Sequence, residues 1–188
     1  MAAAYVQQSE AMDLKEGVPR FGVRSARSSD IPLLEHVERS AADSFRTVGL
    51  EHLLDGPTVK VAVLMNMART NHLWVAVNDW DQPIGFLGGE DLQGNFHIDE
   101  ISVVQEYQGR GVGRALMRMM MEQVRGEGYK YATLTTFKDV PWNGPWYQKL
   151  GFKEINPRAM KKQYSQILKE EAERGLDPER RCIMRKIL

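Results

Sequence analysis

Between His72 and Phe137 the apolar pattern changes period, and this change restricts the fold more than any other feature of the chain. Three runs, HLWVAVN (72–78), IGFLGGEDL (84–92) and FHIDEISVV (96–104), have the make-up of strands. They are separated by Asp79-Trp80-Asp81-Gln82-Pro83 and by Gln93-Gly94-Asn95, short stretches of turn chemistry. Consecutive strands on such loops form an antiparallel meander. Val112, Leu116, Met119, Met120 and Val124 then recur at helical spacing up to Gly126 or Gly128, and YATLTTF (131–137) returns to the strand pattern. A strand, helix and strand in this succession predict a parallel crossover. One chain that holds a meander and a crossover builds a mixed α/β sheet, largely antiparallel, with helices on both faces.

The flanks extend this plan. FGVRSAR, from Phe21, alternates as a first strand; Ser28-Ser29-Asp30 reads as a helix N-cap cluster with Pro32 just inside. The helix that follows carries Leu33, Leu34, Val37 and Ala41, and a second is expected from Pro57 through Val61, Leu64 and Met65 to about Thr70. Thr47 to Gly56 is less regular. Beyond Phe137 the pattern gives a short helix near Trp142 to Leu150 and then GFKEI. A helix with Met160, Tyr164, Ile167 and Leu168 on one face ends before Gly175, and RCIMRKIL closes as a strand. The Met-rich helices read as packing. Nothing repeats and no linker divides the chain, so one domain is expected over 20–188, preceded by a mobile leader up to about Pro19. At 188 residues such a domain can bury a substantial core.

Charge and composition exclude several functions. Lys+Arg and Asp+Glu both number 25, and this balance disfavours binding to a nucleic-acid backbone. Cys182 is alone, and His36, His52, His72 and His97 lack metal-ligand spacing, so neither a disulfide framework nor structural zinc is expected. The first residues lack the basic start and apolar run of a signal peptide, and no stretch has the length of a membrane span. A soluble, cytoplasmic protein is the expectation.

The chemistry concentrates in HIDEISVVQEYQGRGVGRAL, where an acid-bearing strand runs through a short loop into three alternating glycines and a helix. Gly109, Gly111 and Gly113 allow backbone N–H groups to turn inward at a helix N-terminus, where the unpaired donors and the helix dipole favour an anion. This is a phosphate cradle. It is not a P-loop, because no Gly-Lys-Ser/Thr closes it. It is not a dinucleotide fingerprint either, because Leu116 stands where the third glycine belongs and no acid follows about 20 positions on.

Gln108-x-x-Gly111-x-Gly113, preceded by Ile101-Ser102-Val103, resembles the pyrophosphate-binding motif of the GCN5-related N-acetyltransferase (GNAT) superfamily. Asn143-x-x-x-Tyr147-x-x-x-Gly151-Phe152 is similar to a later segment of that family, and the resemblance extends from about Phe21 to Phe152. It implies a sheet splayed open to admit acetyl-CoA, with no metal. The backbone of Ile101, Ser102 and Val103 would pair with the pantetheine arm, which Asn143 would also contact. Amides from Gln108 through Gly109, Arg110, Gly111, Val112 and Gly113 to Arg114 would hold the pyrophosphate. Arg118 and Arg125, further along the helix, read as solvated surface.

Acyl transfer to an amine needs a base for the ammonium, donors for the developing oxyanion and a proton for the departing thiolate. Glu100 is the expected base, with Asp99 next and His97 third, since the family places its carboxylate at more than one of these positions. Adjacent strand residues face opposite ways, so without a bulge only one of Asp99 and Glu100 can look into the site. Tyr147 matches the family's general acid. Phe137 and Trp142 would wall an acceptor pocket or lie in the core, and Glu51, Asp55 or Glu90 would attract an ammonium or lie solvated. The expected reaction is acetylation of a small-molecule amine. The alternatives are a protein or peptide amine as acceptor, or an acyl-CoA sensor without catalysis. The segment from Met160 on either completes a homodimer or covers the sheet.

Overall fold

The computed structural model describes residues 20–156 and 162–188, so the expected leader and Met160 lie outside the described residues. Within these, seven strands form one sheet. Its spatial order is β1 (Gly22–Ser25), β2 (Leu73–Val77), β3 (Pro83–Leu92), β4 (Asn95–Val103), β5 (Tyr131–Phe137), β7 (Arg181–Ile187), β6 (Lys153–Glu154). β2, β3 and β4 form the antiparallel meander, and β4 and β5 are parallel. The last strand inserts between β5 and β6, pairing antiparallel with both.

Five helices cover the sheet among the described residues: α1 (Ile31–Ala42), α2 (Val61–Arg69), α3 (Val112–Gly126), α4 (Gly144–Lys149) and α5 (Lys162–Glu173). Alternation along the strands feeds two cores. Trp74, Leu87, Phe96, Ile98 and Leu134 pack with Val112, Leu116, Met117 and Met120 of α3 and Tyr147 of α4. Val75, Val77 and Phe86 face the other way, against Ile31, Leu34 and Val37 of α1 and Leu64 and Met67 of α2. α5 joins this second face, since its Tyr164 bonds Thr133 and its Glu171 bonds Thr135.

Three details differ from the apolar pattern. Leu33 is 48% exposed because α1 buries the 31-34-37 stripe instead. α2 begins at Val61 rather than Pro57, and Val61 and Met65 are exposed. The delay has a local cause, since the Val59 N–H donates to the Glu38 carboxylate of α1 and residues 57–60 stay non-helical. Met117 takes the fully buried place on α3 that Met119 was expected to share. The less regular stretch folds as 3₁₀ turns at Asp43–Val48 and Glu51–Leu53. At the head of α1, Asp30 accepts the Arg27 N–H and the Arg24 guanidinium rather than capping the helix.

Candidate active site

The sheet parts between β4 and β5. They pair only at Phe96↔Ala132, His97↔Thr133 and Ile98↔Leu134. Beyond Ile98, β4 continues along β3 to Val103, while β5 continues along β7 to Phe137. A slot therefore opens beside Asp99, Glu100, Ile101, Ser102 and Val103, where β4 has a strand partner on one side alone. Backbone polar groups along such an edge are ready to pair with an extended ligand.

The glycine loop stands at the end of this slot. Gly109 and Gly111 adopt left-handed φ values of 71° and 88° with open space where a Cβ would lie, so conformation and not crowding demands glycine there. Among the described residues, the N–H groups from Gly109 to Arg114 donate to no backbone carbonyl. They cluster at the start of the fifteen-residue α3, where the helix dipole adds positive potential. Gly113 does a different job: a Cβ there would rest 3.5 Å from the Trp146 ring and 3.9 Å from Ile101 Cδ1, in ordinary contact. Arg110 stacks over Tyr107, and Arg114 is exposed. Gln108 spends its N–H on the Gln105 carbonyl; its side chain donates to the Val103 carbonyl and accepts from the Ser44 hydroxyl. It thereby ties the loop to the segment after α1. A loop of open amides beside an open strand edge suits a phosphate-bearing group with an extended amide arm, which is the chemistry of coenzyme A.

The acids owe their orientation to a bulge. Gly88 pairs with Glu100 and Gly89 with Ile98, so β4 has one extra residue, Asp99. Gly88 faces Met67 of α2, and directly opposite residues share a face, so Glu100 turns towards the α1 and α2 layer. Ile98, two positions earlier, faces α3. The bulge has reversed the alternation. Asp99 reaches solvent, yet enough protein surrounds it that burial pushes its carboxyl up to about 7, with Glu90 and Glu100 adding to the effect. Glu90 pairs with His97 on the face that Glu100 shares, so Asp99 and Glu100 bear on the same region. Burial also raises Glu100 above the ordinary glutamate range. The Ser102 hydroxyl at 2.8 Å, the Ile101 N–H and the Arg181 charge restrain that rise.

Tyr147 approaches from the opposite face. Asn143 starts α4, and its carbonyl accepts the N–H groups of Trp146 and Tyr147; its own side chain makes no capping bond. Gly144 is required by a close approach, since a Cβ would lie 2.8 Å from the Phe137 and Lys138 carbonyl oxygens. This fixes α4 against the end of β5. Tyr147 is 6% exposed, edge-on to Trp146 and Phe152. Its hydroxyl has no hydrogen-bond partner among the described residues, and burial and then the Glu100 charge hold it well above the ordinary tyrosine value. Tyr147 belongs to the α3-side core and Glu100 to the other face, so they bear on one another across the slot. A carboxyl raised above the ordinary glutamate range can take a proton there, and a phenol that stays protonated can give one.

The other expected residues lie apart from this pair. His97 is buried under α5, its Nδ1 bonded to Thr133 at 2.9 Å, and burial lowers it to about 4 so that it stays neutral. Phe137 and Trp142 pack with Phe45 at centroid distances of 5.9 and 6.0 Å, in a small core with Leu50 and Val140. Glu51, Asp55 and Glu90 are exposed. Two groups had no sequence signal. Glu38 of α1 is pushed up to about 7, by burial first and then by Glu100. Arg181 bonds Glu171 through two nitrogens, at 2.9 and 2.6 Å, and Thr135 bonds the same carboxylate at 2.6 Å. Among the described residues no set of three or more His, Cys, Asp or Glu could hold a metal, and no helix is long and apolar enough to cross a membrane.

Comparison with known proteins agrees with this geometry. Residues 69–154 match the acetyltransferase (GNAT) domain. The chain is 28% identical over 124 residues to N-alpha-acetyltransferase RimI of Mycobacterium tuberculosis, covering 62% of this chain and 77% of that protein. Over 45 residues it is 44% identical to the peptidyl-lysine N-acetyltransferase YjaB of Escherichia coli K12, covering 24% of this chain and 28% of the relative. The fold is similar to that of the PaiA N-acetyltransferase of Thermoplasma acidophilum in complex with coenzyme A. That similarity has a TM-score of 0.68 at 16% identity and covers 90% of this chain and 99% of the other. The matched segment runs from the end of α2 to β6 and so contains the slot, the bulge and the glycine loop. Over residues 69–154 the chain matches the GNAT family of acetyltransferases, whose acyl donor is acetyl-CoA.

Proposed function

We propose that this protein acetylates a primary amine of a small molecule by direct attack on acetyl-CoA, with Glu100 as the base and Tyr147 as the acid. The observation that carries the proposal is the parting of β4 from β5 beside the bulge that turns Glu100, with the Glu100 charge felt at Tyr147. Acetyl-CoA supplies the thioester. The open edge of Ile101 to Val103 receives its pantetheine arm, with Asn143 beside it, and the amides of Gly109 to Arg114 hold its pyrophosphate while Gln108 fixes the loop. Glu100, directly or through a water, takes the ammonium proton, and Asp99 adds negative potential beside it. The raised carboxyl of Glu100 is what a base working near neutral pH requires. The nitrogen lone pair forms the bond to the acetyl carbon, the carbon–sulfur bond breaks, and Tyr147 gives its proton to the thiolate.

Thiol release from acetyl-CoA across a panel of small amines tests this reading. Turnover is expected, and Glu100→Gln and Tyr147→Phe should each lower kcat about 100-fold or more while coenzyme A affinity is retained. Unchanged turnover in both variants would refute the assignment. A second reading, a protein or peptide amine as acceptor, is favoured by the two curated relatives, which are named for N-alpha and peptidyl-lysine acetylation. Peptides with a free N-terminus or an internal lysine, placed in the same panel, decide between the two.

A further inference from the structure

The mechanism above leaves one carboxyl of the acid cluster unused. Glu38 follows the buried Val37 on α1 and is half-buried. Its two oxygens accept the Val59 N–H at 3.3 and 3.0 Å, which fastens residues 57–60 to α1. Glu38 also lies within Coulombic reach of Glu100, because α1 packs on β3 and β4 at the face to which the bulge turns Glu100. Gly88, opposite Glu100, places no side chain on that face.

The charges around this pair are already committed. Arg39 bears on Glu38, but it bonds Glu35 at 3.3 Å and the carbonyls of Leu54 and Gly56. Arg181 bears on Glu100, but it is paired with Glu171. Asp99 adds a third acid beside Glu100, and Glu90 a fourth beside Asp99. From the α3 side of the slot, Tyr147, 6% exposed, also feels the Glu100 charge. Two like carboxyls in one site resist ionising together, and a cation between them removes that resistance.

We propose that Glu38 is a positioning residue for the acceptor, bracketing the incoming ammonium group together with Glu100. The inference rests on the acetyl-transfer reading given above. The amine then binds charged and breaks one N–H bond in favour of the Glu100 carboxylate; its lone pair attacks the thioester, and Glu38 ends the cycle as it began. Through Val59 the same carboxylate holds residues 57–60 while the ammonium is in place.

Glu38→Gln keeps an oxygen for the Val59 N–H and loses the charge; Glu38→Ala loses both. Calorimetric titration of the coenzyme A-saturated protein with butylamine should show binding that weakens at least tenfold in each variant, with butanol not binding. With any amine the wild type turns over, Glu38→Gln should raise KM at least tenfold, change kcat less than threefold and leave the KM for acetyl-CoA within twofold. Equal butylamine affinity in wild type and Glu38→Gln overturns the proposal, as does absence of binding to the wild type. A parallel loss of kcat and coenzyme A affinity also overturns it, since that marks a merely structural role. Butylamine binding that depends on Glu38 without turnover of any amine instead defeats the catalytic reading and leaves the bracketing intact.

Discussion

The two halves of β4 treat titratable groups in opposite ways. In the first half, Phe96 to Ile98 has a strand on each side, and His97 is kept neutral by burial with its ring bonded to Thr133. In the second, Asp99 to Val103 has a strand on one side, and burial brings Asp99 and Glu100 towards neutrality from below while Ser102 and the backbone still contact Glu100. One strand thus changes from two-sided scaffold to open edge within a few residues. The bulge at Asp99 is the junction, and it exists because β3 offers two glycines opposite it. An open edge with raised carboxyls is obtained here by removing one neighbour and adding one residue, with no change in strand type.

The strongest way to break this contrast is to refuse the bulge its glycine. A Cβ at position 89 would collide with the His97 carbonyl oxygen and crowd the Phe96 ring, and neither can retreat far inside the sheet. Gly89→Ala should cost about 3 kcal/mol or more, read as a lower denaturant midpoint with an unchanged slope. A wild-type midpoint in that variant would show that the junction tolerates a side chain.

A second measurement sharpens the first half. An unfolded histidine takes up its proton near pH 6.5, whereas folded His97 resists until about 4. Stability is therefore lost as pH falls through that window, by about 3 kcal/mol at pH 4 from this group. His97→Gln should flatten the decline, and denaturation at pH 7, 5.5 and 4 reads it. The smallest effect belongs to the second half, because solvent screens the exposed Asp99, and it has the opposite sign. Folded Asp99 keeps its proton up to about 7 while the unfolded chain has released it, so this group costs stability as pH rises from about 4 to 7. Asp99→Asn should gain on the wild type across the same interval. Parallel pH curves for Asp99→Asn and wild type would show that the exposed acid is too well solvated to matter.

Much of this arrangement was legible in residues close together in the chain. The meander, α3 and the loop of Gly109 and Gly111 depend on local periodicity and local φ, both of which leave a pattern. The bulge was half legible: Gly88-Gly89 inside an otherwise apolar run is its signal, but the strict alternation of a regular strand puts Asp99 and Glu100 on opposite faces. Glu38 left no mark, because its neighbour Glu100 is 62 positions away and only the packing of α1 on β4 brings them together. Phe137 and Trp142 carry aromatic bulk that suits a pocket or a core equally well, and Phe45, from a stretch without regular pattern, decides their surroundings.

The place of β7 has a consequence for the order in which the sheet can be completed. β6 joins the sheet through β7 alone, and β7 follows β6 in the chain. While a ribosome is still making residues 138–187, β5 therefore presents its outer edge to the cell, and β6 has nothing to bind. At synthesis rates of about 5–20 residues per second that interval lasts roughly 3–10 s. The strand that seals the edge also brings Arg181 to Glu171 and to the neighbourhood of Glu100, so the open edge of β4 acquires its electrostatic setting in the same event that covers the edge of β5.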